Sequence, residues 1–130
     1  MTVHNEYNVY NGVATADLSA QASRFKWVTL AGTIYGIAAG ASTGVAGILN
    51  TSARSGEAFT YQHRGLVKGV AGAVITTPGY PVQVASGGFT IAAVSGGLSL
   101  GRYWQTAACA SGDFVLLNID VSGLNAWAGV

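Results

Sequence analysis

Charge is what this sequence has least of. Only 8% of its 130 residues are Asp, Glu, Lys or Arg, about a third of the ~25% usual for a soluble domain. Charge keeps surfaces wet and monomeric, so its scarcity points to a chain covered by neighbours in its working state. The formal net charge is +1, and the close basic pairs are Arg24 with Lys26 and Arg64 with Lys68. Two pairs do not make the basic stripe of a nucleic-acid binder, so nucleic acid is not expected as a partner. Acids are as sparse: Glu6, Asp17, Glu57, Asp113 and Asp120. No two of them have the spacing of a catalytic pair or a metal-ligand set. That argues against an enzyme, and against a metal or other cofactor.

Cys109 is the only cysteine, which excludes an internal disulfide and with it the stapled scaffold of a small secreted domain. It lies among small residues in "TAACASGD" and reads as a buried structural thiol. The histidines are His4 and His63. His63 shares an apparent strand with Phe59 and Tyr61 and reads as a half-buried or interface imidazole. A Ser/His/Asp triad drawn from His63 and Asp113 has no G-x-S-x-G elbow to expose its serine. "GASTGVAG" (40–47) is rich in Gly, yet it lacks the Lys-Ser/Thr of a phosphate-binding loop and is followed by no helix-forming stretch. It reads as a turn. Tyr103-Trp104 has only Arg102 beside it, too little basic interleaving to stack on nucleic acid.

The start, "MTVHNEYNVYNG", has neither a basic nor an apolar signal region, so no secretory signal is expected. From Trp27 to Ala53 there is no charge, a length that exceeds the roughly 20 residues of a membrane span. This run is dense in Gly, Ser and Thr, which insert poorly, and no basic cluster flanks it. The run from Gly69 to Gly101 is equally uncharged and contains Pro78 and Pro81. Low charge belongs to the whole chain, and a membrane is not expected as a partner.

What is present is strand pattern. "KWVTL", "GTIYGIA", "GVAGILN", "EAFTYQHRG", "GLVKGVAGAVI", "YPVQVA", "GFTIAAV", "LSLGRYW" and "DFVLLNIDV" are short, apolar or alternating, and β-branched or aromatic. In "EAFTYQHRG" Phe59, Tyr61 and His63 share one face, with Thr60, Gln62 and Arg64 on the other. Turn chemistry separates the runs at Arg54-Ser55-Gly56, Thr77-Pro78-Gly79, Ser86-Gly87-Gly88, Ser95-Gly96-Gly97 and Ser111-Gly112-Asp113. Asp113 reads as a turn residue that bonds nearby backbone N–H groups. Pro81 has no N–H to donate, so its strand lies at an edge or begins there. One stretch, "ATADLSAQASRF" (14–25), admits about two helical turns with Asp17 near their start. The fold class expected is all-β, a small β-barrel over residues 25–120.

The two ends differ from this body. Residues 1–24 are polar, Asn-rich and without a steady period, and read as an arm; residues 121–130 read as a short tail. Neither end can bury its aromatic residues alone. They pack back on the barrel or dock on a neighbour, docking being the reading for the arm. Candidate contacts with a neighbouring protein or subunit are therefore His4, Tyr7 and Tyr10 of the arm, Trp104 of the body and Trp127 of the tail.

The capsid enters through a resemblance. "VAGILNTSARSGEAFTYQHRGLVKGVAGAVITTPGYPVQV" followed by "LGRYWQTAACASGDFVLLNID" resembles the small capsid decoration, or cement, proteins of tailed bacteriophages. That family was long catalogued as a domain of unknown function. The shared pattern falls at Gly47-Ile48-Leu49, Gly56-Glu57-Ala58, Gly65-Leu66-Val67-Lys68, Ala73 to Val82, Gly101 to Trp104, and Ser111 to Val115. It covers about residues 27–119. Trp104 stands where the family has a smaller apolar residue, and Thr77-Pro78-Gly79-Tyr80-Pro81 elaborates a shorter turn. The resemblance implies a barrel of the β-tulip type and a homotrimer on the outer surface of a virion head, made in the host cytoplasm. It implies the major capsid protein as partner, with stabilisation of the head as the function. The alternative is a virion-associated recognition module, a head fibre or tail β-domain, that stacks Tyr103, Trp104 or Trp127 on a host surface glycan.

Overall fold

A computed structural model of the chain describes residues 9–20, 23–30, 32–34, 45–94, 98–121 and 125–126. Strands are numbered along the chain. The first sheet contains β1 (Val9–Val13), β2 (Trp27–Thr29), β3 (Val45–Leu49) and β4 (Ala58–Gln62), in the order β1-β4-β3-β2. The second contains β5 (Arg64–Val70), β6 (Pro81–Ala85), β7 (Phe89–Ala92), β9 (Gly101–Tyr103) and β10 (Phe114–Asp120), in the order β5-β10-β9-β6-β7. A separate pair joins β8 (Leu98–Ser99) to β11 (Asn125–Ala126). Every strand ladder is antiparallel, and the described residues contain no α-helix.

The all-β expectation holds. Among the described residues, however, hydrogen bonding makes two main sheets and a separate strand pair, and not one closed barrel. The second sheet comes nearest to closure. Its two edge strands meet at a single bridge, Ala71 with Thr90, where the Gly72 N–H donates to the Thr90 carbonyl at 2.8 Å. Beyond that corner β2 fills the gap. The Trp27 N–H donates to the Gly88 carbonyl (3.0 Å), and its indole N–H donates to Thr90 Oγ1 (2.8 Å). The first sheet thereby plugs the seam that a longer β7 would have zipped shut.

Two cores result. One gathers Trp27, Val45 and Ile48 with the inward residues of the second sheet, including Val82, Val84, Tyr103, Val115, Leu117 and Ile119. The other lies on the opposite face of the first sheet, around Leu18, Val28, Leu49 and Phe59. β3 serves both and is buried throughout. Its register against β2 slips between Val28 and Thr29, so that Gly47 and Val45 take successive partners and Ala46 is the extra residue. This bulge resets the strand's alternation of sides. It lets Val45 and Ile48 enter one core while Ala46 and Leu49 enter the other.

Part of the stretch read as an arm packs back onto the body. β1 pairs with β4 from Val9↔Gln62 to Val13↔Ala58. Ala14 and Leu18 are buried in the second core, and the Leu18 N–H donates to the Ala53 carbonyl at 2.7 Å. An unpaired edge on β4 and a lone Leu18 in water would both be costly, and one fold-back removes both. Of the helical turns allowed for residues 14–25, none forms over 14–20, and a single 3-10 turn closes at Ser23, whose N–H donates to the Ala20 carbonyl at 2.9 Å. Asp17 instead accepts the N–H of Ser19 at 2.9 Å as well as its hydroxyl, a local turn that competes with helix.

Pro81 begins β6, as its missing N–H requires. At the Ser111-Gly112-Asp113 turn Gly112 adopts φ +90°, and Asp113 Oδ2 accepts the Ala110 N–H at 2.8 Å. Cys109 is a buried free thiol. Among the described residues no helix is long and apolar enough to cross a membrane.

Candidate functional site

The described residues contain no group of three or more His, Cys, Asp or Glu placed to hold a metal ion. His63 and Asp113 flank opposite ends of the β5–β10 ladder, whose register runs from Arg64↔Asp120 to Val70↔Phe114. At the rise of a strand that separates them by about 20 Å, so a triad cannot form from this pair. Asp113 is committed to its turn.

The feature that stands out is the outer face of β5, β10 and β9. β10 alternates without a fault: Val115, Leu117 and Ile119 are buried, whereas Phe114, Leu116 and Asp120 are exposed. Register then sets the outward neighbours. Lys68 lies across from Leu116, and Leu66 and Arg102 flank Asn118 on either side. Trp104 closes the Leu116 row, its N–H donating to the Leu116 carbonyl at 2.9 Å. Directly opposed residues have Cβ atoms about 5 Å apart, so these side chains form one continuous surface. Its apolar members are strongly exposed, with Phe114 at 63%, Leu66 at 55%, Trp104 at 47% and Leu116 at 37%.

The surroundings hold this face in shape. Gly101 lets β9 approach β10 closely; a Cβ there would lie 2.4 Å from the Asn118 carbonyl oxygen. The Gln105 side chain accepts the Leu116 N–H at 2.8 Å, and Arg102 donates to the Gly79 carbonyl at 3.0 Å. At the far end Phe25 meets Phe114 edge to face, centroids 5.6 Å apart, with the Lys68 ammonium 5.8 Å from the Phe25 ring. Phe25 has φ +62°, a left-handed conformation that bulky residues avoid. Arg24 lies over the same ring at 5.4 Å.

Trp104 also borders a cleft of about 340 Å³ with Pro78, Gly79, Tyr103, Gln105 and Thr106. The elaborated turn at Thr77–Pro81 forms one of its walls. Tyr103 does not present a stacking surface, contrary to expectation. It is fully buried, because consecutive strand residues point to opposite sides and the interior takes Tyr103 while solvent takes Trp104. Its hydroxyl donates to the Ala107 carbonyl. Burial, reinforced by the neighbouring Cys109 thiol, raises the Tyr103 pKa above its ordinary value.

Of the contact residues expected from sequence, Trp104 alone is placed on this face. His4, Tyr7 and Trp127 lie outside the described residues. Tyr10 lies in β1, across from Tyr61. The residues that sequence reasoning missed are Leu66, Phe114 and Leu116. For Phe114 and Leu116 the signal was legible: "FVLL" is apolar at both parities of one strand, the mark of a strand covered on both faces.

No protein-family model matches the chain, and no curated protein matches it. A solved structure does, the head fiber gp8.5 N base in bacteriophage phi29. The TM-score is 0.55 at 14% identity, over 87% of this chain and 93% of that one. At that identity the likeness is one of fold.

Proposed function

We propose that this chain is a structural protein of a bacteriophage head, bound to the outer surface of the shell as a decoration protein that stabilises contacts between major capsid protein subunits. The observation that carries the reading is the shared fold with a phage head fiber base over 87% of the chain. The sequence pattern of the decoration family points to the same particle. The sparse charge and the exposed apolar face supply the physical reason. A chain seated on a shell, as a homotrimer, hides its base and its inter-subunit walls, so charge is needed only at the outer rim. Binding to the assembled lattice stabilises it by mass action, and several simultaneous contacts multiply weak ones. The test is density-gradient sedimentation of a lysate holding mature virions, with mass spectrometry of the particle band. The chain travels with the heads at a stoichiometry comparable to that of the major capsid protein; recovery only in the soluble fractions removes the proposal.

A second reading has its own support, since the structural neighbour is the base of a fiber and Trp104 is exposed beside a cleft. In it the chain belongs to a head-borne recognition module, and the indole stacks on a host surface glycan. Binding of the purified chain to host cells in the absence of any capsid would favour this reading over cementing.

A further inference from the structure

We infer that the outer face of β5, β10 and β9 is the docking face of this chain, and that it takes an apolar, acid-rimmed surface of a different protein. The inference rests on the proposed head function, in which that protein belongs to the shell. Its centre is Leu66, Phe114, Leu116 and Trp104, the exposed apolar residues brought together by strand register.

Charge identifies the partner. Lys68 and Arg102 point outward among these residues, Arg64 stands at the end of the same face, and Arg24 lies over Phe25 beside Phe114. The carboxylates are Asp120, across from Arg64, and Asp113 in the turn that precedes Phe114. Among the described residues, four cations against two acids leave the face at +2, against a net +1 for the entire chain; Glu6 lies outside the described residues. Asp17 and Glu57 are engaged with backbone N–H groups elsewhere.

A second copy is a poor occupant. Two such faces brought together would set like charge on like charge, around apolar groups that had lost their water. An acidic rim on another protein meets the cations and leaves the apolar centre to be buried, the arrangement of a stable interface.

The test uses the full chain and heads of the phage that encodes it, purified after disruption of this gene. Binding of three proteins is compared: the unaltered chain, the double reversal Lys68→Glu with Arg102→Glu, and Leu66→Ser. Near-ultraviolet circular dichroism checks folding, and Arg54→Glu, on a distant loop, serves as the control. The double reversal weakens binding by about tenfold or more, and Leu66→Ser weakens it as well. Raising salt weakens binding of the unaltered chain, and the control binds normally. Binding by both folded face variants within twofold of the unaltered chain overturns the docking face while leaving the head function standing. A face variant that changes the oligomeric state of the free protein also overturns it, because a second copy would then be the occupant. No binding by the unaltered chain removes the head function and this inference together.

Discussion

The indole N–H of Trp27 donates to the hydroxyl of Thr90 at 2.8 Å in a fully buried setting, across 63 residues of sequence. Trp27 belongs to the first sheet and Thr90 to the short edge strand of the second, so this bond fastens the two beside the single bridge at which the edges of the second sheet meet. Thr90→Val keeps the shape and removes the acceptor. An orphaned buried donor costs about 1–3 kcal/mol, and urea unfolding should show that loss with an unchanged m-value.

Tyr103 makes stability depend on alkaline pH. Its folded pKa is raised above the ordinary 10.0, first by burial and then by Cys109. Folding therefore favours the protonated phenol. The contribution is fully present below pH 10.0 and is lost as pH rises toward the folded value. Tyr103→Phe forfeits the hydrogen bond to Ala107, about 1 kcal/mol at neutral pH. The deficit should shrink as denaturation is repeated above pH 10.0, where the parent must ionise a buried phenol.

Asp17 acts at the other end of the scale. The Ser19 hydroxyl, then the Ser19 N–H, hold its carboxyl below the ordinary 3.8. Its contribution is present above pH 3.8 and disappears as pH falls through the folded value. Asp17→Asn should remove that part of the acid-induced loss, read from thermal unfolding across the acid range. The group is exposed, so the change is small.

Gly101→Ala should do more than its single methyl implies. The new Cβ would lie 2.4 Å from the Asn118 oxygen and 2.7 Å from the Ile119 Cα, both backbone atoms that cannot step aside. β9 has to move off β10, at a cost of about 1–3 kcal/mol. Because Arg102 and Trp104 lie one and three residues further along the chain, the docking face loses its register too. Calorimetry should record a lower Tm, and head binding should weaken in parallel.

The free protein should sediment as a homotrimer, at three times the 13.2 kDa of the chain. Sedimentation equilibrium across a range of concentrations checks this; a monomer at every concentration would contradict it.

Most of the strand pattern was legible because alternation and Gly turns are local. β10 shows where legibility ends. Its run "FVLL" reveals that both sides avoid water, but only pairing with β5 and β9 shows that Phe114 and Leu116 look outward beside Lys68 and Trp104. Tyr103 was misread for the same reason, since adjacent aromatic residues in a strand cannot share a side. The fold-back of residues 9–18 was hidden because Leu18 and Ala14 give no period; their burial depends on Ala53 and Phe59, distant in sequence. Closure of a barrel is likewise a matter of how long β7 runs against β5, and no local motif encodes it.

The most direct measurement is the structure of the mature head by electron cryomicroscopy, at a resolution that traces this chain. Its density should lie on the outer surface of the shell. Leu66, Leu116 and Trp104 should face a capsid subunit, and acidic residues should stand opposite Lys68 and Arg102. Heads without the chain, or a chain whose β5–β10–β9 face looks into solvent, would contradict this arrangement.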